Sequence, residues 1–247
     1  MSAAELVLAL VVISTASAVK ALTGTGFPLL VIPVLSLVLP LEAVVAIVAL
    51  PNAVANVALV GRERSSWPAT RDLPTLLGFG ALGAIGGVFI LVSVPERALL
   101  AVLAVLVVGF VANSLWRPEF AIAPTWGRKL SPVVGLAAGL SQGALGISGP
   151  IVVPWIHSYR LPRNAQVLSV AAIYLLAGLA QVAALALSGE YNAERLGLGL
   201  AAIVPTLAAI PVGARYRYRL GRATFDRAVL AVIAVSGVSI LVRAIAG

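Results

Sequence analysis

Gly24-Thr25-Gly26-Phe27-Pro28 returns 122 positions later as Gly146-Ile147-Ser148-Gly149-Pro150, and the echo continues downstream, where Pro40 and Ala43 match Pro162 and Ala165. Each copy is a glycine- and proline-rich break inside otherwise apolar sequence. Paired breaks in corresponding positions of two halves are the sequence mark of an inverted-repeat membrane carrier, with the ligand held where the broken helices meet.

Composition sets the class within which those breaks are read. Of 247 residues, 61% are hydrophobic and only 11% charged, with a mean hydropathy of +1.07, more apolar surface than one soluble core can bury. The chain reads as an all-α polytopic membrane protein. There is no cysteine, which excludes disulfides, thiolate metal sites and cysteine nucleophiles. Lys and Arg number 17 against 9 Asp and Glu, yet the basic residues sit in short loops between apolar runs, so they set topology and do not mark a nucleic-acid surface.

Ten apolar stretches follow one another, five in each half: 6–22, 28–39, 43–60, 73–92, 98–116, then 130–145, 150–159, 165–187, 196–212 and 228–245. Those starting at Ala43, Leu73, Ala98, Ala165, Leu196 and Ala228 are long enough to cross a bilayer. The stretches after each break would reach only about 15 to 18 Å at a helical rise of about 1.5 Å per residue, too short to span alone. The expected architecture is therefore two inverted-topology repeats of about five helical segments each, with a broken helix or re-entrant hairpin near the start of each half. Residues 1–116 form the first repeat, 117–129 a cytoplasmic linker loop and 130–247 the second repeat. Ala16-Ser17-Ala18 has the look of a signal-peptide cleavage site, but Glu5 and the absence of a basic residue before the apolar run favour mature sequence.

Charge placement selects the threading. If the first two stretches of each half make a two-way excursion, thirteen loop cations fall on one side (in 62–71, 117–129, 160–163 and 215–227) and three on the other (Arg97, Arg195, Arg243). A single kinked crossing would divide the same sixteen equally. Only the first division follows the positive-inside pattern, so both termini are expected outside the cytoplasmic membrane and the basic loops inside. The two tips would then meet near the midplane from opposite sides. Each short helix opens on proline, whose missing N–H had no intrahelical partner, and offers its remaining free N–H groups and positive dipole end to the same place. Such a place prefers an anion.

Lys20 adds a formal charge. A lysine within a spanning segment costs on the order of 2.5 to 3.5 kcal/mol on insertion scales, so it faces a polar cavity or snorkels to a nearby interface. The second half carries Gln142 in the matching position. Substrate-binding residues are thus expected to be Lys20, Thr23, Gly24, Thr25, Gly26, Phe27, Pro28 and Asn52, with Gln142, Gly143, Gly146, Ile147, Ser148, Gly149, Pro150 and Tyr174. Asn52 and Tyr174 correspond at the 122-residue offset; they, Asn56 and Gln181 either line the cavity or bond between helices. Gly78, Gly80, Gly83, Gly86 and Gly87, like Gly197 and Gly199, read as packing positions. No cofactor or metal is expected. The partners are a small anionic substrate and the lipid bilayer, with no nucleic acid; the oligomeric state is left open.

The repeated Gly-x-Gly-x-Pro or Gly-x-Ser-Gly-Pro break, followed by Pro-x-x-Ala, resembles the sulfite exporter TauE/SafE family, also called the toluene sulfonate uptake permease family. The likeness runs through both halves, with Phe27 standing where the family more often has glycine. It implies an integral membrane permease, not an enzyme, for sulfite, sulfonates or related organic anions. Two other readings compete. A non-transporting membrane scaffold is one. The other is a rhomboid-like protease, since Gly146-Ile147-Ser148-Gly149 matches its Gly-x-Ser-Gly; but His157, the sole histidine, lies nine residues from Ser148, roughly 13 Å along a helix and beyond the reach of a base. His157 fits an interface beside Trp155, Tyr159 and Arg160.

Overall fold

A computed structural model describes residues 3–23, 26–116, 123–216 and 233–242, and the described residues are helical with no strand. The helices in order are α1 (Ala3–Thr23), α2 (Phe27–Leu35), α3 (Leu41–Glu63), α4 (Leu73–Ser93), α5 (Glu96–Trp116), α6 (Pro124–Leu145), α7 (Gly149–Ser158), α8 (Arg163–Leu187), α9 (Ala193–Ala201) and α10 (Ile203–Tyr216), with a short 3-10 helix, Arg64–Ala69, after α3. A further apolar helix spans Ile233–Val242. Shifting the first half by 122 lays α1 on α6, α2 on α7, α3 on α8 and α4 on the α9–α10 pair, with starts agreeing to within two residues. The repeat seen in two short motifs thus extends to the order and length of the helices.

Leu41–Ala69, Leu73–Ser93, Glu96–Trp116 and Arg163–Leu187 are long and apolar enough to cross a membrane. The 196–212 stretch, read as one span, is divided at Ala202. Pro205 has no N–H to donate to the Ala201 carbonyl, which is why the helical ladder loosens there. Helix α6 starts at Pro124, ahead of its apolar stretch, so residues 124–129 of the expected linker are helical; residues 117–122 lie outside the described residues.

The chain divides into two compact units, and each draws on both halves of the sequence. One comprises Met1–Pro51, Val94–Trp116 and Tyr191–Gly247. Within it α1 packs against α10 and α2, and α2 touches α5. Tyr191 donates from its hydroxyl to the Ala46 carbonyl (3.2 Å), and the Leu41 N–H donates to Glu96 Oε1 (3.0 Å).

The other unit comprises Asn52–Ser93 and Arg117–Glu190, and its dominant contact is α4 on α6. A Cβ on Gly139 would fall on the Gly80 carbonyl oxygen and 2.8 Å from the Ala84 nitrogen; one on Gly143 would fall on the Ala84 carbonyl oxygen. Leu76 lies beside Gly135, Gly80 beside Gly139 and Ala84 beside Gly143, so the helices run parallel with their backbones in contact along a small-residue seam. Gly83, Gly86 and Gly87 pack as expected, whereas Gly78 and Gly197 face open space. The opposite face of α4 exposes Leu82 and Phe89, which suits hydrocarbon and not water.

Helices α6 and α7 form a hairpin. The Tyr159 hydroxyl at the end of α7 lies 3.1 Å from Ser131 Oγ near the start of α6, receives the Trp155 Nε1 hydrogen at 2.9 Å and donates to Asp72 Oδ2 at 3.1 Å. Arg71 stacks its guanidinium 4.4 Å from the Tyr159 ring centre, in space that Gly127 leaves by having no side chain. One tyrosine therefore ties the return of the hairpin to its entry and to the start of α4.

Candidate functional site

The second break sits at the closed end of the α6–α7 hairpin. Helix α6 ends when Gly146 adopts φ 69°, in the left-handed region where glycine pays no Cβ penalty, and its N–H donates to the Gln142 carbonyl (2.9 Å). Ser148 precedes α7, and its carbonyl accepts the N–H groups of both Ile151 and Val152 (3.1 and 2.9 Å). Pro150 occupies the first turn, so no hydrogen is wasted there.

A buried polar network fixes the shape of this break. Gln142 Nε2 donates to the Gly146 carbonyl (3.2 Å) and to Gln181 Oε1 (3.0 Å), and Gln181 Nε2 donates to the Gln142 carbonyl (2.6 Å). Ser148 Oγ donates to Gln142 Oε1 (2.8 Å), and Ser141 Oγ donates to the Ile147 carbonyl. Each of these four side chains is buried. In an apolar interior an unmet amide or hydroxyl costs about 1 to 3 kcal/mol, so the four are satisfied by one another and by the main-chain carbonyls of the break, and hold the irregular backbone in one conformation. Tyr174, also buried, brings its hydroxyl to within 3.1 Å of where a Cβ on Gly149 would stand. A side chain larger than hydrogen at position 149 would crowd it.

The first break is built from different chemistry. Helix α1 runs to Thr23, and α2 opens after Gly26, whose φ of 94° again lies in the left-handed region; the Gly26 carbonyl receives the Leu30 N–H (3.0 Å). Pro28 occupies the first turn of α2. Phe27, where the second break has Gly149, is fully buried, and the Lys20 ammonium lies 5.8 Å from its ring centre. Lys20 is itself buried at 6% exposure, so it does not snorkel into open water within this chain. One turn earlier, Ser17 Oγ lies 2.9 Å from Thr206 Oγ1 on α10. The matching pair at the 122-residue offset is Gly139 and Ala84, so the same helix contact is sealed by small residues in one unit and by hydroxyls in the other.

Of the residues expected at the site, Gln142, Gly146, Ile147, Ser148, Gly149, Pro150 and Tyr174 gather at the second break, and Lys20, Gly26, Phe27 and Pro28 at the first. Gly143 lies in the α4–α6 seam. Asn52 accepts from Asn56 Nδ2 (3.3 Å) on α3, both buried. Gly24, Thr25 and the Thr23 side chain lie outside the described residues. Two members of the network were not among the expected site residues. Gln181 was visible as a lone amide in an apolar stretch but gave no sign of its partner, and Ser141 was hidden beside Gln142. Among the described residues no cluster of three potential metal ligands occurs. Ser148 and His157 occupy opposite ends of the continuous helix α7, a poor arrangement for nucleophile and base.

Compared with known proteins, the chain matches a family model described as "Sulfite exporter TauE/SafE" over residues 8–240. No curated protein and no solved structure matches it.

Proposed function

This chain belongs to the sulfite exporter TauE/SafE family, a family of membrane transporters of sulfur-containing anions and not of enzymes, and from that premise we propose that it carries sulfite, a sulfonate or a similar small organic anion across the cytoplasmic membrane by alternating access of its two broken-helix hairpins. The observation that carries the reading is the pairing of the breaks. Each ends a long helix, starts a short one on proline and has a buried polar residue four positions before its first glycine: Lys20 in one, Gln142 in the other. Free N–H groups at the starts of α2 and α7 supply positive potential without a mobile side chain. Lys20 supplies the formal charge.

The energetics follow from which residues are present. No acidic residue lies in the middle of an apolar segment, so a carboxylate proton relay or carboxylate sodium site is not built into the sequence. An inside-negative potential supplies roughly 2.3 kcal/mol per charge per 100 mV for anion exit, which favours export. Proteoliposomes loaded with sulfite test both parts. An inside-negative potassium diffusion potential should accelerate efflux through the wild type, and Lys20→Ala should slow that efflux at least tenfold, the loss of one charge-assisted contact of about 1.5 to 3 kcal/mol. Wild-type efflux that ignores the potential and follows a proton or sodium gradient would replace this mechanism with a coupled carrier, and undiminished efflux through Lys20→Ala would remove Lys20 from the site.

A further inference from the structure

Main-chain carbonyls fix the orientation of both amides at the second break. Gln142 presents one end of its amide to the Gly146 carbonyl and Gln181 presents one end to the Gln142 carbonyl. Each of those ends must be NH2, because a side-chain oxygen there would set two acceptors against each other. Gln142 then commits both of its hydrogens, to Gly146 and to Gln181 Oε1, and turns Oε1 towards Ser148. The Ser148 hydroxyl has one hydrogen, and it points at Gln142. What Ser148 retains is lone pairs, so at this break serine is an acceptor and not the donor that its place beside an anion suggests.

The donors lie elsewhere. At the start of α7 Pro150 has no N–H, and Ile151 and Val152 donate to the Ser148 carbonyl, which leaves the Gly149 N–H without an intrahelical partner; the Tyr174 hydroxyl, buried beside Gly149, makes no hydrogen bond to any described residue. Donors from α7 and Tyr174 with one acceptor at Ser148 complement an oxyanion that still carries a hydrogen. Resting on the reading that this break meets the substrate, we infer that the second half-site selects the monoprotonated form of an inorganic oxyanion, such as hydrogensulfite, with Ser148 Oγ accepting the substrate's hydrogen. Gln142 and Gln181 are positioning residues that keep the serine turned that way. A fully deprotonated anion would meet the serine lone pairs with its own.

Titratable groups near the break are few. On the elements packed around it, Arg128 and Lys129 lie near the start of α6, His157 near the end of α7 and Arg163 at the start of α8, all remote from Ser148; α4 carries none, and Tyr174 alone stands beside the break. Lys20 belongs to the other unit.

The test measures binding to the purified full chain at about pH 6 and about pH 8.5, with sulfite, which changes protonation across that range, and methanesulfonate, which carries no titrating hydrogen there and reports any titration of the protein itself. Wild-type protein should bind sulfite more tightly at the lower pH while methanesulfonate affinity stays level. Ser148→Ala should lower the ratio of the two sulfite affinities about 3- to 10-fold, the worth of one hydrogen bond, and Gln142→Met, which frees the serine hydrogen, should lower it as well. Ser148→Gly, carrying the residue type found at the matching position Gly26, gives the same readout if the alanine variant does not fold. A purely structural role would weaken sulfite equally at both pH values, so an unchanged ratio with binding retained overturns the proposal. Wild-type protein that binds neither ligand at either pH overturns the underlying reading of the break as a substrate site.

Discussion

Gly26 and Gly139 are glycines for opposite reasons. Gly26 has open space where a Cβ would go, but its φ of 94° excludes most other residues; Gly139 has an ordinary helical backbone, but a Cβ there would strike the Gly80 carbonyl. Asparagine tolerates the left-handed region and separates the two demands. Gly26→Asn should keep the melting temperature close to that of the wild type, whereas Gly139→Asn, by forcing α4 off α6, should destabilise by about 1 to 3 kcal/mol. Equal melting temperatures for the two variants would contradict this division. The same distinction explains why Gly143 read as part of the binding tip: a close backbone approach by another helix and a close approach by a ligand both demand a missing Cβ, and the sequence alone carries no sign of which neighbour arrives. Gln142 and Ser148 stood out in the sequence because they are polar in an apolar setting. Their hydrogen-bond directions did not, because those depend on carbonyls and on Gln181, 39 residues away along the chain.

Among the elements, the short helices were the most legible, since their length and opening proline follow directly from sequence. What fixes α7 as the return limb of a hairpin was hidden, because the tie runs through Tyr159, Ser131 and Asp72, which no periodicity connects. Tyr159→Phe keeps the ring beneath Arg71 but removes the hydroxyl that Ser131, Trp155 and Asp72 share. The loss should be about 1 to 3 kcal/mol, the cost of leaving the half-buried Trp155 and Asp72 without this partner, visible as a lower melting temperature and faster hydrogen exchange in α7 than in α4. Exchange that stays as slow as in the wild type would show that the hairpin does not depend on this tie. Pro205 is the other lesson at this scale: hydropathy alone joins 196–212 into one span, and the missing proline N–H divides it.

For the whole molecule, the repeat and the packing answer different questions. The sequence halves 1–116 and 130–247 remain the proposed repeats, yet α4 from the first half packs on α6 from the second, and α10, the counterpart of α4, packs on α1, the counterpart of α6. This reciprocal exchange could not be read from the chain, because small-residue seams carry no address for their partner. Sidedness, by contrast, is proposed from the loop charges. Charge placement put loops 61–72, 117–129 and 160–163 on one side; independently, Tyr159 is hydrogen-bonded to both Asp72 and Ser131. A single kinked crossing of α6 and α7 would hold Ser131 and Tyr159 at opposite ends, so their contact supports the excursion that the thirteen-to-three division requires. Extending it to the 215–227 loop, whose residues 217–227 lie outside the described residues, we expect a cysteine at Arg217 to react with a maleimide only from the cytoplasmic side. A membrane-impermeant maleimide applied to intact cells should therefore leave it unlabelled until the membrane is opened. Full labelling before opening would put the basic loops outside and reverse the orientation on which the proposed potential-driven export rests.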